Sequence, residues 1–177
     1  AGQLDEEALQ ARLGEGRLAH LAAGSCELAQ HDYGAAAGHV ERTLELDPLN
    51  LDAAMQLAAA FEDSGKAERA QEVYERAVRT GPDDWQTHHF IGKFLLEKRF
   101  QPARAVDHFR RVVELLPDSS IGYADLGACL FYLDDRSGAR TNLEKAVAIG
   151  PSYWALHNLA TLEYYDGNFA AAAERYR

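Results

Sequence analysis

Four prolines set the frame of this chain. Pro48, Pro82, Pro117 and Pro151 stand 34, 35 and 34 residues apart, and they close the stretches LELDP, VRTGP, VELLP and VAIGP. Self-similarity at such a period marks a repeat array, in which each unit buries its apolar face only against its neighbours. Further markers fall in step with the prolines. An apolar residue followed by a small one comes nine residues later at Leu57-Ala58, Ile91-Gly92 and Leu126-Gly127, and eight later at Leu159-Ala160. Beyond these lie the small residues Ala70, Ala105, Ala139 and Ala172, and four positions on from each the bulky Tyr74, Phe109, Leu143 and Tyr176. An earlier unit fits the same frame through Gly24, Ala36, Val40, Thr43 and Pro48.

This pattern resembles the tetratricopeptide repeat family, whose units read W-x2-L-G-x2-Y, then A-x3-F, then P. The resemblance covers about nine tenths of the chain. It divides the chain into units at 17–50, 51–84, 85–119, 120–152 and an incomplete 153–177. Residues 1–16 fit the frame poorly and are expected to form an N-terminal helix, either a cap or a degenerate half-repeat. The third unit carries one extra residue near Phe100 and Gln101, the fourth is one short around Ser152 and Tyr153, and the fifth lacks its final proline. The family's tryptophan position is held by His20, Ala54, His88, Tyr123 and Leu156. The implied fold is all-α, a right-handed α-solenoid of stacked antiparallel helix pairs.

The residues themselves support helix pairs. Apolar side chains recur at three- and four-residue spacings in both halves of a unit, as in the stripes Leu57, Ala58, Phe61 and Ala70, Tyr74, Ala77. Gly65 ends the first helix of its unit, and Gly34, Gly138 and Gly167 fall near the same turn. Pro102 suits the first turn of a helix, where its missing N–H is not needed. Asp83, Ser119 and Ser152 are expected N-caps.

In the family, the first helices of successive units line a concave groove. The resemblance therefore implies groove positions at Asp52, Met55, Ala59, Glu62 and Asp63 in the second unit, and at Gln86, His89, Lys93, Leu96 and Glu97 in the third. It adds Ile121, Ala124, Ala128, Phe131 and Tyr132 in the fourth, and Trp154, His157, Thr161, Tyr164 and Tyr165 in the fifth. Aromatic groups on such a wall are natural anchors for a peptide or partner helix. The expected partner-binding residues are His89, Lys93, Phe131, Tyr132, Trp154, His157, Thr161, Tyr164 and Tyr165. The acidic group Asp52, Glu62 and Asp63 reads either as a contact for a basic ligand or as a solvated helix face. The carboxylate clamp of chaperone-binding relatives needs Lys and Asn where this chain has Leu21 and Ser25, or Met55 and Ala59. A chaperone C-terminus is not the expected ligand.

Composition removes other classes. Acidic residues outnumber basic ones 28 to 18, a formal charge of −10, which argues against a phosphate-backbone partner such as nucleic acid. No run of eighteen apolar residues occurs, so membrane insertion is not expected. Cys26 and Cys129 read as free buried thiols. The seven histidines form no H-E-x-x-H run, and His88 and His89 point to different helix faces, so no metal site is expected. Phosphate-binding glycine loops and a nucleophile elbow are absent, and carboxylates form surface pairs such as Glu72–Arg76. No catalysis and no cofactor are expected.

The sequence thus reads as a non-catalytic protein–protein interaction scaffold that binds a peptide or partner helix. Two other readings stand beside it. One is the sensing or recruiting region of a larger bacterial signalling enzyme, such as a Ser/Thr kinase, in line with the stretches YADLGACLFYLDD and YWALHNLATLEYYDGNFAAAAERY. The other is a structural array that self-associates through exposed ends. The absence of an initiator Met and a helical pattern running to Arg177 suggest a segment of a longer chain. Fourteen Arg against four Lys, with much Ala and Gly, suggest a GC-rich bacterial source, with the cytoplasm as the expected location.

Overall fold

A computed structural model describes residues 16, 19–20, 23–24, 33–47 and 49–176. The N-terminal helix expected over residues 1–16 (Gly16 apart) lies outside these, as do Leu21, Ser25, Cys26, His31, Pro48 and Arg177. The described residues fall into two compact units, one up to Pro82 and one from Asp83 onward.

In the first unit α1 spans Tyr33–Leu46, α2 Leu51–Asp63 and α3 Ala67–Thr80. Helix α2 packs on both α1 and α3. In the second, α4 spans Trp85–Lys93 and runs on as a π-helical turn, Phe94–Lys98. Then follow α5 (Pro102–Leu115), α6 (Ser120–Tyr132), α7 (Arg136–Ile149), α8 (Tyr153–Tyr165) and α9 (Phe169–Arg175). Each helix packs on the next, and α6 also packs on α8. No strand occurs among the described residues. The architecture is an all-α stack of helix pairs, α-solenoid in kind.

Four helices begin alike. Asn50, Asp84, Ser119 and Ser152 precede α2, α4, α6 and α8, and their side-chain oxygens accept from the backbone N–H groups of Ala53 (2.9 Å), Thr87 (2.7 Å), Ile121 (3.4 Å) and Ala155 (3.2 Å). Each satisfies a donor that the helix leaves open. Asp83, expected as a cap, is displaced from that role by Asp84, which stands immediately before the helix; Asp83 pairs with Arg111 instead. Pro102 opens α5 as expected.

The turns within pairs also share one design. A residue in the left-handed region stands at Gly65 (φ 74°), Phe100 (φ 52°), Asp134 (φ 61°) and Gly167 (φ 82°). The following N–H closes the turn on a carbonyl deep in the first helix: Lys66 on Phe61 (2.8 Å), Gln101 on Leu95 (2.8 Å), Asp135 on Leu130 (3.0 Å) and Asn168 on Glu163 (2.8 Å). This is the reach of a Schellman cap. It spans five residues everywhere except at Leu95–Gln101, where it spans six. The extra residue read from the sequence is absorbed there, in the π-helical turn closed by Arg99 N–H on the Phe94 carbonyl at 3.1 Å. Gly138, expected near this turn, lies inside α7, and its N–H is capped by Asp135 at 2.9 Å. Gly34 likewise lies inside α1. A cap needs the residue after the last helical turn, and Asp134 occupies that place.

Close approach holds each pair together. A Cβ on Gly92 would sit 2.7 Å from the Phe109 ring, and one on Gly127 would sit 2.6 Å from Leu143 Cγ and 3.1 Å from the Ala139 carbonyl. Phe109 and Leu143 are buried, as are Ala105 and Ala139 beside them. Cys129 is a free thiol in the same interior; its Sγ lies 3.3 Å from the Pro102 carbonyl, and burial pushes it up to about 11.

Two substitutions test this account. Gly127→Ala should cost about 1–3 kcal/mol, because a backbone carbonyl stands on one side of the added methyl. Phe100→Gly should stabilise by about 1 kcal/mol through relief of the left-handed backbone, given that the Phe100 side chain is 82% exposed. Urea midpoints at unchanged slope would check both, and equal midpoints for Phe100→Gly and wild type would contradict the strain.

Candidate partner-binding site

Helices α6 and α8 open consecutive pairs and lie against each other, so residues at their C-terminal ends meet. The Phe131 and Tyr165 rings stand 5.3 Å apart, and Phe131 contacts Tyr132 edge-on at 5.8 Å. Tyr164 sits edge-on to Tyr165 at 5.7 Å and to Phe169 at 5.4 Å. Phe131 is half-buried, while Tyr132, Tyr164, Tyr165 and Phe169 are all more than half exposed. These rings form one connected aromatic patch beside the two turns.

Arg136, at the start of α7, lies against the patch. Its guanidinium lies 5.1 Å from the Phe131 ring centre and 5.9 Å from that of Tyr165, close enough for attraction to both π-faces. It also pairs with Asp166 (3.1 Å) and Asp134 (3.3 Å), and Asp166 takes a second partner in Arg140 at 2.7 Å. The hydrogen bond from Arg140, then that from Arg136, holds the Asp166 carboxyl below its ordinary value. Arg136 and Asp166 were not expected site residues; as members of a second helix and a turn, they fall outside a count along first helices. Phe169, the opening residue of α9, was missed for the same reason.

The other expected residues stand elsewhere. Trp154 lies eleven residues before Tyr165 on α8, about 16 Å along the axis. It belongs to a second cluster, in which Tyr153 stacks on His157 at 5.6 Å and Trp154 meets His157 at 6.4 Å. His157 and Thr161 are held by their own pair: Tyr176 contacts the His157 ring at 5.5 Å, and its hydroxyl lies 2.9 Å from Thr161 Oγ1. Thr161 also donates to the His157 carbonyl. Tyr153 and Trp154 are exposed.

Nearer the start of this unit, His89 Nδ1 lies 2.8 Å from Asp125 Oδ2, a bridge between the first helices α4 and α6. Lys93 pairs with Glu97 at 3.5 Å. His88 turns the other way and meets His108 of α5, Nδ1 to Nδ1 at 3.0 Å, so the two neighbouring histidines do face apart. No cluster of three or more His, Cys, Asp or Glu suited to a metal occurs among the described residues. In the first unit Glu62 is engaged by the Tyr74 hydroxyl at 2.6 Å, and burial followed by that carboxylate pushes the Tyr74 phenol far up.

One further charge lies buried. Glu163 is 4% exposed, at the place in its pair that Phe61, Leu95 and Leu130 hold in theirs. Both carboxylate oxygens accept from Arg175 Nε at 2.9 Å.

A sequence model of the tetratricopeptide repeat matches residues 27–89. No curated protein sequence matches the chain. Among solved structures, the chain is similar to MamA from Desulfovibrio magneticus RS-1, at TM-score 0.79 and 18% identity, with 93% of each chain covered. It is similar to PilF of Pseudomonas aeruginosa at TM-score 0.78 and 22% identity, covering 93% of this chain and 75% of that one. The protein YrrB, described as a tetratricopeptide repeat protein with an unusual peptide-binding site, aligns at TM-score 0.69 and 20% identity, over 88% of this chain and 80% of its own. The family model thus covers about a third of the chain, and the solved structures share its fold.

The depressed Asp166 carboxyl has a consequence under acid. A carboxylate bound more tightly in the folded state contributes stability above its unfolded value, and that contribution is lost as pH falls through the folded one. Asp166→Asn should therefore flatten the decline in stability below about pH 4. Urea midpoints measured on a pH series would check this, and parallel curves for both proteins would contradict it.

Proposed function

We propose that this array is a non-catalytic scaffold whose aromatic patch binds a peptide or helix of a partner protein. The observation that carries the reading is the Phe131–Tyr165 contact, because it joins two consecutive helix pairs into one surface and leaves Tyr132, Tyr164 and Phe169 exposed on it. Exposed rings held by their neighbours offer large contact area at small entropic cost, the usual character of a binding hot spot. The bracing by Arg136 supports this, since a pre-ordered surface loses little freedom on binding. Peptide binding in YrrB gives a precedent on the same fold.

Two of the expected residues have smaller parts in this reading. His89 and Lys93 act through their internal partners Asp125 and Glu97, as supports for the first helices. Trp154 makes a second anchor further along α8, with His157 and Thr161 behind it, and suits a ligand long enough to span both clusters. Bacterial cytoplasm is the proposed setting. No helix among the described residues is long and apolar enough to cross a membrane.

Partner capture by immobilised wild type should fall about a hundredfold in the double variant Tyr132→Ala/Tyr164→Ala, since anchor truncations cost about 1–2 kcal/mol each. Both rings are exposed, so helicity should be unchanged by circular dichroism. Equal capture by both proteins would discard the aromatic patch as the binding surface.

A further inference from the structure

Four of the seven histidines come as two pairs. His88 of α4 and His108 of α5 meet Nδ1 to Nδ1 at 3.0 Å, and His20 meets His39 of α1 in the same way at 3.1 Å. The ring geometry repeats as well. Ring centres stand 5.3 and 5.4 Å apart, with planes tilted by 40° and 34°. The two pairs lie in different compact units, so each forms by itself.

Their places in the repeat coincide. His20 and His88 are each the fourth residue of a repeat, and His39 and His108 directly precede its bulky residue, Val40 or Phe109. The other repeats hold Ala54 with Val73, Tyr123 with Asn142 and Leu156 with Arg175 at these two places. A histidine on one helix is thus matched by a histidine on the other, and neither comes singly. Packing alone asks for no such match, since Ala54 and Val73 fill the same places and are buried.

The facing nitrogens decide the chemistry. Two bare Nδ1 lone pairs cannot meet at 3.0 Å, so one ring carries a proton that the other accepts. With that proton moved to Nε2, both lone pairs converge on one point between the helices. Zinc–imidazole bonds of about 2.0–2.1 Å at a tetrahedral angle set two nitrogens about 3.3–3.4 Å apart. Each pair reaches that spacing by opening about 0.2–0.4 Å. His20, His39 and His108 are partly exposed, so an ion enters from solvent. A search for histidines four apart on one helix passes over these pairs, whose members stand 19 and 20 residues apart.

We propose that each histidine pair is a two-ligand site for a divalent transition ion of the zinc class, with water in the remaining positions. The ion takes the place of the shared proton, which passes to Nε2 of the same ring, so no net proton is released. Bound there, it ties the first helix of a pair to the second. Imidazole selects zinc, copper or nickel over magnesium and calcium, which prefer oxygen ligands. The formal charge of −10 adds attraction for a cation.

The test is calorimetric titration of the untagged full chain with zinc chloride, joined to nitrogen NMR of the imidazole rings. Expected is saturable binding of two ions per chain, with shifts at Nδ1 of His20, His39, His88 and His108. His39→Gln and His108→Gln should each remove one ion, and the double variant should bind at least about tenfold more weakly. Zinc should raise the melting temperature of the wild type and leave that of the double variant unchanged. Magnesium in excess should not compete. Failure to saturate would overturn the inference. So would equal binding by the double variant, or zinc shifts confined to His31, His89 or His157. Both substituted residues are partly exposed, and circular dichroism checks their folding. If a variant loses helicity, the ring-nitrogen shifts of the wild type decide the matter alone.

Discussion

Everything in this array depends on two helix backbones coming close enough to touch. At Gly92 and Gly127 the space a methyl would need is already filled, by the Phe109 ring and by Leu143 with the Ala139 carbonyl. Gly24 stands in the same relation to Val40. Each bulky side chain is thus a knob whose hole is the absence of a side chain opposite. Burial of such a knob contributes about 2–3 kcal/mol, and the fit also fixes how the pair is rotated. Once the rotation is set, the turn that joins the pair has one geometry, and the first helices of successive pairs present fixed faces to each other. The meeting of Phe131 and Tyr165 is a consequence of that packing.

Electrostatics serves the packing differently in two places. Arg136 and Arg140 converge on Asp166 near the surface, where charge pairs add little stability but order the groups they join. Here the ordered group is the guanidinium beside two aromatic rings. Glu163 is the contrary case, a buried carboxylate where sibling pairs hold Phe61, Leu95 and Leu130. Arg175 answers it with one Nε–H shared between both carboxylate oxygens, which offsets desolvation without making the pair more stable than a hydrocarbon of similar volume. Its effect is to tie α9, a helix of seven residues, to α8.

The fold was legible because its markers are periodic. Pro82, Pro117 and Pro151, the small residues Gly92 and Gly127 and the bulky Phe109 and Leu143 recur in step, and periodicity survives the weakness of any one match. Details decided by a single neighbour were harder. Asp83 and Asp84 are equally good caps in isolation, and only the helix start chooses between them. Gly138 resembles a turn glycine, but the turn falls four residues earlier, on Asp134. For the candidate surface, counting along first helices picked out Phe131, Tyr132, Tyr164 and Tyr165, which stand on neighbouring helix ends. It was blind to distance along the helix, which sets Trp154 apart, and to residues outside the first helices, which is why the contacts of Tyr176 with His157 and of Arg136 with Phe131 were not anticipated.

The third helix pair shows what the design permits. One residue more than its siblings enters between Leu95 and Gln101, and the disturbance ends within a single widened turn, with the Phe109 knob still seated on Gly92. The turn behaves as an expansion joint. Its length can drift while the interlocked helices on either side keep their alignment, so insertions accumulate at these corners without travelling down the stack. A lineage of such arrays can therefore decorate its corners, as this one has with an outward-facing Phe100, while leaving the supporting framework untouched.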